Sequence, residues 1–384
     1  DELVNSAFDA YQEGIETITI SLPGLLANRK ITKMFAGTEV ENLVDSVLMD
    51  VSSNPTSAMG HAMFALARFE DFKASVDAAE FEQRLADRNY SPSFLLAWDD
   101  YLYKYGERGF KEIDVASKRV CETLPEFFLQ LKSINLDDNQ LLKVKARKDE
   151  ALTRMREVAN KKGKLKAFNK AVEMINLTYG HRETPKYLVV IMNGNLRRVA
   201  LDIADEFVAQ GRLQNQDQIF DLHMEQIGQA QQDKSLQLLP LIEKNLKPYQ
   251  QMQHVKHYPC FIDSRGKIFR KINQAEDGDL AGQAVSSGVV TGRAKVLASP
   301  HEKPLEPGEI LVTVATEPAW TPVFVNASGV VLEIGGGLQH GAIIAREYGL
   351  PCVSGLPGVT DMIKDGDLLE VDGTNGIVKI IEAD

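Results

Sequence analysis

The chain changes its hydrophobic pattern near residue 281, and this change limits what it can fold into. Before that point, apolar residues recur three and four positions apart, as they do along one face of an α-helix. The segments that show this pattern include Phe64, Leu66 and Ala67, then Phe94, Leu95 and Trp98, then Phe127, Phe128 and Leu131. After it, short β-branched runs alternate with glycines. We therefore predict a mainly α-helical part followed by an α/β part.

A chain of 384 residues exceeds what one hydrophobic core usually organises, so more than one domain is expected. We place a helical domain at residues 1–273 and a second domain at 281–384. Residues 274–280 separate them, and the stretch from Gln274 to Asp279 is acidic and contains a glycine. This composition predicts a mobile hinge linker.

Local signals predict several elements of the first domain. Charge-rich residues 137–175 are interrupted at 161–164, which indicates a helical hairpin. Thr184 as N-cap and Pro185 at the first helical position predict a helix that ends at Gly211. A β-hairpin is predicted around Ser264-Arg265-Gly266.

In the second domain the pattern predicts five strands, with helices after Trp320 and after His340. The strands are the segments GVVTGRAKVLA, EILVTV, GVVLEI, LLEV and IVKII.

Composition excludes several functional classes. A formal charge of −11 without a basic cluster argues against nucleic acid as a partner. No apolar run is long enough to cross a membrane, and the first residues lack the features of a signal peptide. Three widely spaced cysteines and histidines without metal spacing predict no disulfide framework and no metal site. We expect a cytoplasmic protein, and the abrupt opening suggests part of a longer one.

The chemistry is concentrated in the stretch EIGGGLQHGAIIAREYGLPCVSG. A strand ends at Ile334, the glycines at 335–337 follow, and a helix begins close to His340. Backbone N–H groups of such a loop and the positive end of a helix favour an anion. A neutral imidazole there is a competent nucleophile, since its usual pKa of about 6.5 leaves it unprotonated at pH 7. The local pattern alone leaves open that His340 only caps a helix.

This stretch closely resembles the swivelling phosphohistidine domain of pyruvate phosphate dikinase, phosphoenolpyruvate synthase and rifampin phosphotransferase. The matching positions are Gly336, Gly337, His340, Ala342, Ala345, Arg346, Glu347, Gly349 and Pro351. The likeness extends through SGVVTGRA at 287–294, PAWTP at 318–322 and VDG at 371–373. It implies a β/β/α domain in which His340 carries a phosphoryl group. Gly335, Gly336, Gly337 and Gly341 are then the expected phosphate-binding residues.

The resemblance also implies partners and cofactors. An ATP-grasp domain, in cis or as a subunit, would bind ATP and Mg²⁺ and phosphorylate His340, and the domain would then swing to a small-molecule acceptor. The order of helical region and histidine domain looks like rifampin phosphotransferase and the condensing enzymes of prodigiosin-type pigment synthesis. Moderately specific motifs agree with that branch: NPTSAM at 54–59, YGERG at 105–109 with EID at 112–114, and RETPK at 182–186.

Arg182 and Lys186 lie on either side of a predicted helix start. The planar guanidinium of Arg182 and the ammonium of Lys186 can both bind a phosphoryl group or an acceptor hydroxyl. Rifampin phosphotransferases use a matching pair beside the acceptor. We expect Arg182 to stabilise transferred charge and Lys186 to position or deprotonate the hydroxyl. Local pairing of Arg346 with Glu347 is expected to orient the histidine helix.

The sequence departs from the family at three places: Leu338 and Gln339 replace a threonine and a small residue common in the dikinases, Ala58 replaces an acidic residue, and Glu107 replaces a histidine. These changes concern the acceptor. Three hypotheses therefore remain open: a phosphotransferase acting on a small hydroxyl compound, an ATP-driven condensing enzyme, and a phosphocarrier that donates to another protein. A closed apolar cavity near Arg182 and Lys186 would count against the carrier.

Overall fold

A computed structural model describes residues 9, 11–51, 53–136, 140–253, 255, 261–269, 279–337 and 339–382. Helices make up the chain as far as Met252, and a mixed β-sheet begins at Leu280. The predicted order of a helical region followed by a mixed sheet is therefore confirmed. The domain boundaries stay a prediction, and the hinge residues 274–278 lie outside the described part.

The helices are named here in chain order. They are α1 (Leu22–Phe35), α2 (Pro55–Ala67), α3 (Glu70–Lys73), α4 (Ala78–Ala86), α5 (Pro92–Tyr105), α6 (Leu124–Ser133), α7 (Gln140–Lys161), α8 (Leu165–Thr178), α9 (Thr184–Ala209), α10 (Met224–Gln232), α11 (Leu239–Met252), α12 (Thr321–Asn326), α13 (His340–Glu347) and α14 (Val359–Met362).

Short polar residues followed by proline start two of these helices. The side chain of Asn54 accepts a hydrogen bond from the backbone N–H of Thr56 at the start of α2. Ser91 caps α5 in the same way, and both helices carry proline in the first turn. Proline fits there because its missing N–H needs no partner.

The helical hairpin is confirmed as α7 and α8, although residues 137–139 lie outside the described part. The helix predicted from Thr184 is confirmed as α9, and Gly211 follows it with a φ of +68°. Thr184 as its N-cap is wrong. Thr184 already has helical dihedrals, because the 3₁₀ turn Tyr179–Glu183 runs directly into the helix.

The strands include the predicted hairpin, β1 with β2, and all five strands predicted in the second region. They are β1 (Phe261–Ile262), β2 (Ile268–Phe269), β3 (Leu280–Ala281), β4 (Gln283–Ser286), β5 (Val289–Val296), β6 (Ile310–Thr313), β7 (Gly329–Leu332), β8 (Cys352–Ser354), β9 (Leu368–Asp372) and β10 (Ile377–Glu382).

Eight strands form one mixed sheet in the order β3-β10-β9-β5-β6-β7-β8-β4. β5 to β8 are parallel neighbours, and the remaining pairs are antiparallel. The sequence did not reveal β3, β4 and β8. Each is short, and the pairing partner of β4 lies far along the chain.

One hydrophobic cluster contains residues of both regions. Met59 and Phe64 of α2 share it with Phe324, Leu332 and Tyr348. Trp320 also belongs to this cluster and is only 1% exposed. Apolar burial therefore holds the histidine helix against the helical region.

None of the described helices combines the length and apolarity that crossing a bilayer requires.

Candidate functional site

His340 is the first residue of α13, which follows β7 and the glycine loop. Gln339 precedes it with extended dihedrals and contributes no side-chain cap. The turn is closed by a hydrogen bond from the backbone N–H of Gln339 to the carbonyl of Gly336, at 2.9 Å. His340 thus lies at the positive end of a helix whose first N–H groups have no side-chain acceptor at the N-cap.

Both ring nitrogens of His340 are buried, and neither makes a hydrogen bond to any residue that the structure describes. Burial lowers its pKa well below the usual value, and the positive charges of Lys186, Arg108 and Arg182 lower the pKa further. The ring is therefore neutral at pH 7 and has an unprotonated nitrogen.

These three cations come from the helical region. Arg182 lies in the 3₁₀ turn Tyr179–Glu183, and Lys186 lies in the first turn of α9. The structure therefore brings together His340 and the two upstream residues that the sequence singled out.

Arg108 follows α5, and the sequence analysis quoted its motif without giving it a role. Its Nη1 donates to Glu112 Oε1 at 2.9 Å, and both side chains are almost fully buried. Lys186 Nζ approaches the same Glu112 oxygen at 3.2 Å. Residues 108–112 are not helical, so their spacing of four residues gave no local signal for this pair.

Glu317, which precedes the turn Pro318–Trp320, is a second missed carboxylate. It accepts a hydrogen bond from the backbone N–H of Lys111. Burial raises its pKa, whereas the nearby charge of Lys186 lowers it. Acidic and basic groups from both regions thus converge near His340.

The four glycines of the site have different surroundings. Gly335 has a φ of +155°, a conformation that favours glycine. The carbonyl of Gly337 accepts a hydrogen bond of 2.6 Å from Arg346 Nη1. A Cβ at Gly341 would lie 2.5 Å from Thr316 Oγ1 and 2.7 Å from Leu332 Cδ1, so α13 packs closely at this point. Phosphate binding by Gly335, Gly336, Gly337 and Gly341 stays a prediction.

Local pairing of Arg346 with Glu347 is wrong. Arg346 donates to the carbonyls of Val285 and Gly337. The Glu347 carboxylate instead accepts hydrogen bonds from Asn54 Nδ2 and Ser57 Oγ, and Arg182 Nη2 lies 3.4 Å from it. Burial raises the pKa of Glu347 to about 7. The last residue of the histidine helix is thus bound to α2 and to the turn before α9.

Among the described residues, no three His, Cys, Asp or Glu side chains are grouped as metal ligands would be.

Comparison with known sequences identifies the class. Residues 305–376 match the family described as the mobile domain of PEP-utilising enzymes, and residues 16–183 match the fourth domain of rifampicin phosphotransferase. His340 therefore lies within the segment that matches this mobile domain.

The resemblance to rifampicin phosphotransferases is confirmed over most of the chain. The rifampicin phosphotransferase of Bacillus subtilis is 30% identical over 365 residues, which are 88% of this chain and 41% of that protein. The one from Bacillus cereus is 29% identical over 95% of this chain and 44% of its own length. The prodigiosin synthesizing transferase PigC of Serratia marcescens is 30% identical over 73% of this chain and 33% of its own length. The chain thus spans less than half the length of these relatives.

Proposed function

We propose that this chain is the acceptor-side part of a dikinase-type phosphotransferase in which His340 receives a phosphoryl group and passes it to the hydroxyl of a small molecule. One observation carries the proposal. The neutral imidazole of His340 lies at the start of α13, its buried ring nitrogens have no partner among the described residues, and the charges of Arg108, Arg182 and Lys186 reach it.

These charges suit a phosphorylated histidine better than a bare one. A phosphoryl group on the ring adds close to two negative charges. Arg108, Arg182 and Lys186 compensate that charge where little water screens it. The same cations disfavour an imidazolium, so the ring that is released after transfer remains neutral in this position.

In the second half-reaction the acceptor oxygen attacks phosphorus, a P–O bond forms and the P–N bond to His340 breaks. The proton of the acceptor hydroxyl passes to the departing imidazole, which returns to its neutral form. Arg182 stabilises the charge on the transferred group, and the ammonium of Lys186, held by Glu112 at 3.2 Å, positions the hydroxyl.

The donor half-reaction takes place elsewhere. An ATP-grasp domain would bind ATP with Mg²⁺, and the β-phosphoryl group of ATP would pass to His340, with AMP and inorganic phosphate released and one water consumed. In this scheme the chain consists of an acceptor domain at 1–273, a hinge at 274–280 and a swivelling domain at 281–384. A shortened hinge should block turnover and leave phosphorylation of His340 comparatively intact, whereas equal survival of both half-reactions would contradict the swivel.

A condensing enzyme is the second candidate, because PigC is similar to 73% of this chain. Such an enzyme would also transfer the phosphoryl group through His340. Its phosphorylated acceptor, however, would be an intermediate that reacts further and not the final product. Analysis of products separates the two: a phosphotransferase accumulates a phosphate ester, and a condensing enzyme releases inorganic phosphate with a new covalent bond between two substrates.

Intact-mass analysis at alkaline pH tests the relay directly. The chain, together with its ATP-grasp domain, is incubated with ATP and Mg²⁺ without acceptor. We expect one acid-labile phosphoryl adduct on the wild type and none on His340→Ala. Labelling that persists in the variant, or no labelling of either protein, would contradict the proposal.

A further inference from the structure

Arg182 is held by the helix that carries His340. Its Nη2 lies 3.4 Å from Oε1 of Glu347, the last residue of α13, and its charge reaches His340, the first residue of the same helix. Along the helix axis the two ends lie roughly 10 Å apart. One guanidinium of the helical region therefore acts on both ends of the histidine helix.

The carboxylate of Glu347 is itself firmly held. It is only 1% exposed, and it accepts hydrogen bonds from Asn54 Nδ2 at 2.6 Å and from Ser57 Oγ. The backbone adds to this, because the N–H of Asp50 donates to the carbonyl of Glu347 at 3.3 Å. A side chain that its neighbours fix in this way can hold a cation in one place.

Arg182 keeps a donor available for a second partner. Its guanidinium carbon lies 4.3 Å from the centre of the Tyr179 ring, which supports the plane. Glu183 Oε1 is 3.5 Å from Arg182 Nε, but Nε is buried and makes no hydrogen bond to any described residue. A buried donor in this condition carries a desolvation cost that a phosphoryl oxygen can relieve. Glu347 thus contacts Nη2 and leaves Nε for the transferred group.

We infer that Glu347 is a positioning residue, which holds Arg182 in place for the phosphoryl group on His340. The inference rests on the proposed function. Because His340 and Glu347 belong to one helix, movement of the swivelling domain brings the phosphoryl group and the anchor of Arg182 to the helical region together. Arg182 then has its full set of partners only when the phosphoryl group has arrived. Assembly of the site is in this way coupled to delivery.

Hydrolysis of phosphorylated His340, with water as the acceptor, tests this inference. The chain and its ATP-grasp domain are labelled with ATP, the ATP is removed, and loss of the acid-labile phosphoryl group is followed at pH 8, where a carboxyl with a pKa of about 7 is ionised. Glu347→Gln keeps the shape of the side chain and loses the charge that pairs with Arg182. It should slow hydrolysis about 5-fold and change labelling less than about 2-fold.

A double-mutant cycle separates positioning from docking. Arg182→Ala should slow hydrolysis about 30-fold. Glu347→Gln should add less than about 2-fold in that background, because its effect passes through the arginine. Ser57→Ala is the matched control. It removes another hydrogen bond of the same carboxylate without touching Arg182, and it should change the rate less than about 2-fold.

Equal slowing by Glu347→Gln in both backgrounds, or slowing by Ser57→Ala of the same size, would overturn the inference, because docking alone would then explain the effect. An unchanged or faster rate in Glu347→Gln would also overturn it, and so would equal rates in Arg182→Ala and wild type. All of these results leave the relay intact. Failure of ATP to label the wild type overturns the relay and, with it, the role of Glu347.

Discussion

Asn54 Nδ2 donates a hydrogen bond of 2.6 Å to Glu347 Oε1, although 293 positions separate the two residues. Asn54 is also the cap of α2, and Glu347 is the last residue of the histidine helix. One bond therefore joins the start of a helix in the first region to the helix that carries His340. The pairing gives the docked arrangement polar specificity in addition to its apolar contact.

Removal of this carboxylate should weaken the docked state. Glu347→Ala leaves Arg182 with Glu183 as its remaining carboxylate partner and removes the acceptor of Asn54 Nδ2, both in buried surroundings. We expect a loss of roughly 2–4 kcal/mol in the free energy of unfolding. Denaturant titration measures it. Glu370→Ala, which removes an exposed carboxylate paired with Lys379, is the control and should cost less than about 1 kcal/mol.

Glu347→Gln should change how stability depends on pH. The folded pKa of Glu347, about 7, lies above its usual value of 4.5, so the native state holds this proton longer than the unfolded state. This carboxyl therefore lowers stability as pH rises from about 4.5 to 7. His340 acts in the opposite direction below its usual value of 6.5, because its folded pKa is depressed. Between pH 5 and 6.5 the two effects oppose each other in the wild type.

In Glu347→Gln only the histidine effect remains, and stability should rise with pH across that window by up to about 1.4 kcal/mol per unit relative to wild type. Urea unfolding at pH 5.0, 5.75 and 6.5 provides the measurement. Parallel curves for the two proteins would show that Glu347 titrates normally.

His340→Asn should reveal the contribution of Glu347 to the pH dependence of stability. Without the buried imidazole, the carboxyl of Glu347 dominates, and stability relative to wild type should fall as pH rises from 5 to 6.5. The same urea series checks this. A slope of the same sign in His340→Asn and Glu347→Gln is incompatible with the burial that the structure shows.

Lys186→Ala should separate the half-reactions. Discharge of phosphorylated His340 to the acceptor should slow about 10²-fold, because the ammonium next to Glu112 is lost, and labelling by ATP should stay within about 3-fold. Rapid-quench analysis of the acid-labile phosphoryl group resolves the two rates. Unchanged discharge would remove Lys186 from the mechanism. Lys104→Ala, a cation paired on the exposed face of α5, is the control.

Gly60 should be intolerant of a side chain at the interface between the regions. A Cβ there would lie 2.5 Å from the hydroxyl of Tyr348 and 3.0 Å from Thr321 Cγ2. Gly60→Ala should therefore lower stability by about 1–3 kcal/mol through overpacking. Gly228→Ala, in a helix where a Cβ meets nothing within 4 Å, should raise it by about 0.5–1 kcal/mol. Thermal unfolding of both variants gives the comparison.

Local signals predicted much of this structure. Pro185 and Gly211 mark the two ends of α9 because their effects act within a few residues. The strands β5, β6, β7, β9 and β10 have β-branched runs that glycines interrupt. Thr184 is not the N-cap that its residue type predicts, because a 3₁₀ turn runs directly into the helix.

The candidate site was predictable only in part. His340 follows a glycine loop, and Arg182 and Lys186 lie beside a helix start. Both are local patterns that the sequence shows, and the family resemblance implied the roles of these residues. Arg108 could not be given a role, because its charge matters only where the fold places it beside His340.

The sequence by itself determined the division into helical and mixed-sheet regions, the helix that begins at His340 and the resemblance to PEP-utilising enzymes. Periodicity, glycines and caps act over one or two turns, so they can be recognised without a fold. Only the tertiary structure decided that Glu347 binds Asn54 rather than Arg346, and that the charge of Arg108 reaches the histidine. Those relations depend on burial and on contacts between distant segments, which create the low-dielectric surroundings that shift the pKa values of His340 and Glu347.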